Sequence, residues 1–258
     1  MSEQVAPFDL SGRVAIVTGG NGGIGLGMAR GLAANGATVV VAARNADKSA
    51  SAVKELEAFG ARAAAIEADV SDEAAVNHLV EETVRRFGRV DVVVNNAGTN
   101  VRKEPQDLSL AEWHLVMDTN LTSAFLTSKA AYPHMKVQGG GKFINVGSMM
   151  SVFGVPFSPA YASSKGGLVQ FTKVLATAWA KDNIQANAVL PGWIDTDLTR
   201  TARVEVPGLH DRVLSRIPAG RWGDGDDLAG IAAFLASSAS DYITGAVIPV
   251  DGGYASQG

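Results

Sequence analysis

The stretch Val14–Gly25, which reads VAIVTGGNGGIG, joins a short apolar run to a glycine-rich turn and then to a helical pattern. Val14–Val17 has the length and the β-branched content of a buried strand. Glycines directly after a strand allow the backbone to turn tightly and approach a pyrophosphate, whose charge is met by the positive end of the next helix. The stretch therefore predicts a dinucleotide-binding unit, and the structural alternative is a turn that only connects strand to helix.

Six more apolar runs follow, separated by longer helical patterns, and this alternation is typical of a parallel sheet covered by helices. We predict one α/β domain over residues 1–258. Its fold class is a Rossmann-type, doubly wound sheet of seven parallel strands with helices on both faces. The predicted strands are Val14–Val17, Thr38–Ala42, Ala63–Glu67, Val90–Val94, Lys142–Val146, Ile184–Val189 and Ala246–Val250.

Helical periodicity fills the segments between these strands. Asp72 is a candidate N-cap, and Gly36, Gly60 and Gly88 stand where glycine commonly ends a helix. From about residue 194 to 218 the strand–helix rhythm is interrupted, which favours a small helical lid over a substrate site; a packed surface excursion or an oligomer contact is the alternative. The predicted helices are Ile24–Asn35, Asp47–Phe59, Asp72–Phe87, Leu110–Lys136, Ala160–Lys181 and Asp226–Ala236.

The composition excludes several classes of function. A net charge of -4 without a Lys/Arg-rich run argues against nucleic acid and anionic membranes as partners. With no cysteine, the chain has no disulfide and no thiolate nucleophile, and its four scattered histidines lack metal-ligand spacing, so no metal is predicted. Residues 1–10 do not resemble a signal peptide, and no apolar run reaches the roughly 18 residues that span a bilayer. A cytoplasmic enzyme is expected.

The end of the second predicted strand indicates which dinucleotide binds. An acidic residue about 20 positions after the glycines would bind the ribose 2′-hydroxyl of NAD. The sequence there is Ala42-Ala43-Arg44-Asn45, so the acid is missing, and Arg44 could pair with a 2′-phosphate. NADP is therefore favoured, NAD stays possible, and stacking on adenine or facing solvent are the other roles open to Arg44.

Four signals follow one another along the chain: the glycine turn, Asn95-Asn96-Ala97-Gly98 after the fourth strand, Ser148 after the fifth, and Tyr161-Ala162-Ser163-Ser164-Lys165 on a helix. In this order and spacing the chain resembles the short-chain dehydrogenase/reductase family from about Leu10 to Tyr254. In that family's frame the cofactor motif is TGxxxGxG, whose fixed points are Thr18, Gly19, Gly23 and Gly25.

The spacing of Tyr161 and Lys165 suits proton transfer. Residues four apart share one face of a helix, so both side chains point into the same site. A phenol titrates near 10, and a nearby ammonium together with a positively charged nicotinamide favours its phenolate form. Tyr161 is thus the predicted acid and base of an alcohol–carbonyl interconversion.

The resemblance implies roles for further residues. Ser148 would hydrogen-bond the substrate oxygen, Lys165 would also contact the nicotinamide ribose, and Asn120 would hold a water that links Lys165 to solvent. A strand-end cap for Ser148 and a helix kink at Asn120 are the structural alternatives. The implied cofactor-binding residues are Gly19, Asn21, Gly22, Gly23, Ile24, Gly25, Arg44, Asp69, Val70, Asn96, Ala97, Gly98, Tyr161, Lys165, Pro191, Gly192, Ile194 and Thr196.

The sequence leaves the substrate open. The segments 147–151, 216–223 and 236–242 resemble the family members that act on sugar acids, the gluconate 5-dehydrogenase and 2-dehydro-3-deoxygluconate 5-dehydrogenase group. Arg102 or Lys103 could meet a sugar carboxylate at the pocket mouth, or either could be a solvated surface charge. An apolar wall that would also suit a cyclic or aryl ketone is predicted from Met149, Met150, Phe153, Phe157 and Trp193.

Two other functions share these motifs. A 3-oxoacyl-carrier-protein reductase would need a basic patch beside the pocket, and the Lys/Arg clustering near the predicted lid is modest. A nucleotide-binding regulator without turnover would be expected to lack Tyr161 or Lys165, and both are present. The resemblance also implies a homotetramer, with the apolar run 243–250 as one place where subunits meet; by itself that run is an edge strand that needs covering.

Overall fold

The computed structural model describes residues 7–257, so the ends of the predicted domain, residues 1–6 and Gly258, lie outside the described residues, as does most of the N-terminal stretch assessed for a signal. All seven predicted strands are present in one parallel sheet with the order β3-β2-β1-β4-β5-β6-β7. The strands are β1 Val14–Thr18, β2 Thr38–Ala43, β3 Ala63–Glu67, β4 Val92–Asn95, β5 Gly141–Val146, β6 Ile184–Pro191 and β7 Val247–Val250.

Nine α-helices lie in the described part of the chain, and two of them fall in the region predicted as a lid. No helix within residues 7–257 has the length and apolar character to cross a bilayer. The helices are α1 Gly23–Ala34, α2 Ala46–Ala58, α3 Glu73–Phe87, α4 Leu110–Met117, α5 Ser123–Val137, α6 Pro159–Trp179, α7 Asp197–Glu205, α8 Leu209–Arg216 and α9 Ala229–Ala236.

Hydrophobic clusters cover both faces of the sheet, because the buried strands carry apolar side chains in both directions. On one face, Val17 and Val41 pack with Leu32 of α1 and Leu235 of α9. On the other face, strand residues pack with side chains of α3, α5 and α6, among them Leu79, Met135 and Leu175. The sheet is thus buried by helices on both sides, as the alternating pattern predicts.

The predicted helix ends agree with the structure at several positions. Asp72 caps α3 by accepting a hydrogen bond from the Ala75 N–H at 2.7 Å. Gly36, Gly60 and Gly88 all have positive φ angles of 79° to 95°, which suit glycine at a helix end.

The prediction of one helix over Leu110–Lys136 is wrong in detail. The segment contains α4, a π-helical turn over Asp118–Thr122, and α5. In this turn the Ser123 N–H donates to the Asp118 carbonyl, five residues back, so the helix holds one extra residue. Hydrophobic periodicity does not reveal such an insertion, because the chain remains helical on both sides.

Helix α1 packs closely against the turn that precedes α9. A Cβ atom on Gly27 would collide with the Gly225 carbonyl, and one on Gly31 would collide with the Ala229 carbonyl. The predicted helix Asp226–Ala236 in fact starts as a 3-10 turn over Gly225–Leu228. These glycines allow the backbone of α1 to contact the backbone at the start of α9. This contact fixes the position of α1, which begins in the glycine-rich turn.

Candidate functional site

A cavity of about 370 Å³ opens where the strand order reverses, outside the carboxyl ends of β1, β4, β5 and β6. This is the place where doubly wound sheets bind their ligands. Helices α7 and α8 cover one side of it through Leu198, Ala202 and Leu209. Of the predicted site residues, the cavity wall contains Gly19, Asn21, Gly22, Gly23, Ile24, Asn96, Ala97, Gly98, Arg102, Ser148, Met150, Phe153, Phe157, Tyr161, Lys165, Pro191, Gly192, Trp193, Ile194 and Thr196.

The glycine-rich turn presents open backbone to this cavity. Helix α1 starts at Gly23 and its first turn contains no acidic residue, so its positive end faces the cavity uncompensated. Gly22 has no atom within 4 Å of the position that a Cβ would take, which leaves room for a ligand against the main chain. Gly19 and Gly23 have φ angles of 63° and 51°, where L side chains are strained. The turn therefore fits a pyrophosphate.

Asn96 and Thr18 hold this turn against the end of β4. The Asn96 side chain donates to the carbonyls of Thr18 and Gly19 at 2.9 and 3.2 Å. In return, the Thr18 hydroxyl accepts from the N–H groups of Asn96 and Ala97. Gly25 lies behind the turn, where a Cβ would collide with the Gly19 carbonyl. Gly25 therefore packs against the back of the turn and does not line the cavity.

Arg44, Asp69 and Val70 also lie outside the cavity wall. Arg44 directly follows β2, and 74% of its side chain is exposed. Its guanidinium is 3.8 Å from the Asp69 carboxylate. The Ser71 side chain and N–H hydrogen-bond Asp69 and lower its pKa, with a smaller contribution from Arg44. Val70 instead packs in a small apolar cluster with Val76 and Leu126.

Ser148, Tyr161 and Lys165 converge from two elements. Ser148 follows β5, and α6 begins at Pro159, so Tyr161 and Lys165 stand one turn apart near its start. The Lys165 ammonium is 5.8 Å from the centre of the Tyr161 ring and donates to the Val146 carbonyl at 2.7 Å. This arrangement can hold a substrate oxygen beside a phenol and support the loss of its proton.

The pKa values in this group are shifted in opposite directions. Burial lowers the pKa of Lys165 to about 8. Burial also raises the pKa of Tyr161, while a hydrogen bond from Ser148 and the positive charge of Arg102 lower it. In both residues desolvation disfavours the charged form. The phenolate thus depends on nearby positive charge and on hydrogen bonds.

Asn120 lies in the π-helical turn behind Lys165, outside the cavity wall. Its side chain accepts from the Thr99 N–H at 2.7 Å and donates to the Thr99 carbonyl and the Ser164 hydroxyl, each at 3.0 Å. These bonds tie the loop after β4 to the helix of Tyr161 and Lys165. A π-helical insertion in a helix frequently marks a functional site.

Arg102 is largely buried and is not the solvated surface charge that was one of the two expectations for it. Only 13% of its side chain is exposed, and it binds Glu205 and the Leu198 carbonyl of α7. The alternative of a solvated surface charge is therefore wrong for Arg102, because the lid helix covers it. Lys103 does not line the cavity and pairs instead with Glu112 at 2.6 Å.

Several cavity residues were missed in the sequence analysis. Lys48 lies in the first turn of α2 and pairs with Asp197 of α7 at 3.1 Å. Asn100 donates to the Ser158 hydroxyl, and its side-chain oxygen is buried without a partner. Tyr254 packs edge-on against Phe153 from the C-terminal segment. Only Asn100, two residues after the Asn-Asn-Ala-Gly motif, carried a local signal.

The fold and cavity define a dinucleotide-binding protein with a Ser–Tyr–Lys group beside its glycine-rich turn. The family model described as enoyl-(acyl carrier protein) reductase matches residues 19–255. The chain is 41% identical to a 2-dehydro-3-deoxy-D-gluconate 5-dehydrogenase of Escherichia coli over 97% of this chain and 98% of that protein. It is 39% identical to a gluconate 5-dehydrogenase of Gluconobacter oxydans over 95% and 96% of the two chains.

A solved structure from Agrobacterium tumefaciens, assigned as a 2-deoxy-D-gluconate 3-dehydrogenase and containing NADP, superposes with a TM-score of 0.90 at 39% identity, covering 98% of this chain and all of that one. The protein belongs to the short-chain dehydrogenase/reductase family and is thus an NAD(P)-dependent oxidoreductase. The family expected from the four sequence motifs is confirmed.

Proposed function

We propose that this enzyme interconverts a secondary alcohol of a sugar acid and the corresponding ketone, with NADP as cofactor. The observation that carries the proposal is the convergence of Ser148, Tyr161 and Lys165 beside an open glycine-rich turn and a largely buried guanidinium, Arg102. These groups would hold an anionic hydroxy acid with its reacting oxygen next to the Tyr161 hydroxyl.

In this mechanism Tyr161 takes the proton of the substrate hydroxyl during oxidation and returns it during reduction. A nicotinamide, when bound, supplies the chemistry of accepting or donating a hydride. Ser148 hydrogen-bonds the reacting oxygen, and the Lys165 ammonium favours the Tyr161 phenolate by Coulomb attraction. We further propose that Asn120 orients the helix of Lys165 and holds a water that connects it to solvent.

The preference for NADP is supported by charge at the end of β2. Arg44 is exposed there and no acidic residue follows that strand directly, so a 2′-phosphate would find a partner in Arg44, for which it would compete with the Asp69 carboxylate 3.8 Å away. Lys48, in the first turn of α2, adds a second positive charge on the same side. The A. tumefaciens relative contains NADP. Asp69 and Val70 would border the adenine, and Asn96, Ala97 and Gly98 the adenosine side.

The sugar-acid substrate is supported by the names of the relatives and by Arg102, whose charge lies within reach of Tyr161. A second candidate, a cyclic or aryl ketone, is favoured by one observation: much of the cavity wall is apolar. We propose that residues 194–218 act as the lid that selects between the two. The apolar wall is formed by Met149, Met150, Phe153, Phe157, Trp193, Leu209 and Tyr254.

A carrier-protein reductase is the less favoured activity. Three arginines near the lid are paired with acids: Arg200 and Arg203 with Asp195, and Arg221 with Asp227. Arg212 and Arg216 of α8 lie outside these pairs, but residues 194–218 carry four arginines and four acidic residues, so the segment has no net positive charge for an acidic carrier. A regulator without turnover is disfavoured because Tyr161 and Lys165 are both in the cavity wall.

For the whole protein we propose a cytoplasmic homotetramer. The assembly is supported by apolar side chains that stand exposed on neighbouring helices: Leu115 on α4, Phe125 on α5 and Val174 on α6. Phe125 also contacts Phe171, one turn before Val174, so part of this surface is continuous. A patch of this kind on a single chain marks an interaction site.

Turnover with D-gluconate, 2-dehydro-3-deoxy-D-gluconate, cyclic ketones and acyl thioesters, followed by nicotinamide absorbance with NADP and NAD in parallel, tests the proposal. Tyr161→Phe should lower kcat by about 100-fold or more, because the general acid–base group is removed. Undiminished turnover in Tyr161→Phe would contradict the mechanism.

Arg44→Ala should reduce the preference for NADP, and unchanged kinetics with both cofactors would contradict the cofactor assignment.

A further inference from the structure

The contacts of Arg102 join the substrate cavity to the lid. Arg102 follows β4 in the loop that lines the cavity, and its positive charge acts on Tyr161. One guanidinium nitrogen lies 2.8 Å from the Glu205 carboxylate, and the other donates to the Leu198 carbonyl at 2.9 Å. Arg102 thus lines the cavity while both of its terminal nitrogens bind α7.

Glu205, the last residue of α7, gives Arg102 the same kind of partner that a sugar carboxylate would give it. An arginine pairs best with a carboxylate through two parallel N–H donors. Because Glu205 and the Leu198 carbonyl each take a donor on one of the two terminal nitrogens, a substrate carboxylate arriving in the cavity competes with Glu205 for the paired donors and is repelled by its charge. Glu205 is 49% exposed, so it can turn to solvent when it is displaced.

We propose that Glu205 is a specificity-determining residue: a lid-borne competitor for Arg102 that the substrate carboxylate displaces. The inference rests on the proposed sugar-acid function and adds a consequence for the lid. A carboxylate substrate releases the C-terminal end of α7, whereas a neutral substrate leaves the Arg102–Glu205 pair intact.

The opposite end of α7 provides a matched control. Asp197, its first residue and part of the cavity wall, pairs with Lys48 of α2 at 3.1 Å and with Arg200 at 3.5 Å, so ion pairs hold both ends of the helix. Asp195, just before α7, binds Arg200 and Arg203 and does not contact Arg102. Asp197→Asn therefore loosens the lid helix to a similar degree without touching the proposed carboxylate partner.

The kinetic test compares D-gluconate with D-glucitol, which has a hydroxymethyl group in place of the carboxylate, at saturating NADP⁺. Glu205→Gln should lower KM for D-gluconate by about two- to five-fold, the range that a half-exposed ion pair is worth. The KM of D-glucitol, or its inhibition constant if it is not oxidised, should stay unchanged. Asp197→Asn should shift both compounds alike.

Hydrogen exchange of residues 198–206 gives a second readout without turnover. D-gluconate should speed exchange of these amides in the wild type and have no such effect in Glu205→Gln, where the pair is already broken. An unchanged or raised KM for D-gluconate in Glu205→Gln, or an equal shift with D-glucitol, would overturn the role of Glu205. If the wild type oxidises no sugar acid at all, the proposed substrate fails, and this inference falls with it.

Discussion

At the scale of single residues, Lys165 combines a functional position with a cost in stability. Only 3% of it is exposed, and its pKa is about 8 rather than the ordinary 10.5. Between those two values the unfolded chain binds the proton and the folded chain does not, so the free energy of unfolding rises with pH in that window. Below pH 8 both states are charged and the full desolvation cost of the folded state is present.

We therefore expect Lys165→Met to raise the free energy of unfolding by about 2–3 kcal/mol at pH 7 while abolishing turnover. Above pH 8 this gain should shrink by about 1.4 kcal/mol per pH unit, because the wild-type lysine is then neutral in the folded state. Urea unfolding of the wild type and the variant between pH 7 and 10 measures this difference in the free energy of unfolding. The control is Lys173→Met, because Lys173 is an exposed lysine of the same helix. A gain that is constant with pH would contradict the buried-charge explanation.

At the scale of elements, the packing of α1 on the turn before α9 sets the position of the glycine-rich turn. We expect Gly27→Ala to lower the free energy of unfolding by about 1–3 kcal/mol, because its methyl group would meet the Gly225 carbonyl. Since α1 begins at Gly23 in the cavity wall, its displacement should also raise KM for NADP.

Gly230→Ala on α9 is the control for that variant. This substitution also adds a methyl group to a helix, but no neighbouring atom lies within 4 Å of the added carbon. Gly230→Ala should therefore stabilise the protein by up to about 1 kcal/mol. Thermal unfolding and cofactor titration measure both variants. Equal stability of Gly27→Ala and Gly230→Ala would show that the close approach of the two backbones is not required.

At the scale of the whole molecule, the exposed apolar side chains of α4, α5 and α6 are the surface to test for assembly. Val174 is 59% exposed in the single chain, so Val174→Lys should leave the fold of each subunit intact. In an assembly through this surface it would bury an unpaired charge, and we expect a smaller oligomer. Light scattering after size exclusion measures the mass.

Val137→Lys is the matched control, because Val137 is 90% exposed at the far end of α5. It should keep the wild-type mass. A Val174→Lys protein of unchanged mass would place the subunit contacts elsewhere, with the edge strand β7 as the next surface to test.

The sequence by itself determined the fold, the family and the positions of Tyr161, Lys165 and the glycine turn. These features rest on short-range chemistry: strand and helix periodicity, glycine stops, and a four-residue spacing that puts two side chains on one helix face. Even Ser148 could be found, because it stands two residues after the end of a predicted strand.

Only the tertiary structure decided how the site is enclosed. Arg102 and Glu205 lie 103 residues apart, and Lys48 and Asp197 lie 149 apart. Nothing in the sequence around these four residues distinguishes them from solvated surface charges, and a solvated charge was one of the two expectations for Arg102. Their pairing follows because β4 and β6 end, and α2 begins, at the same edge of the sheet, and that edge decides which charges meet and which substrate group can separate them.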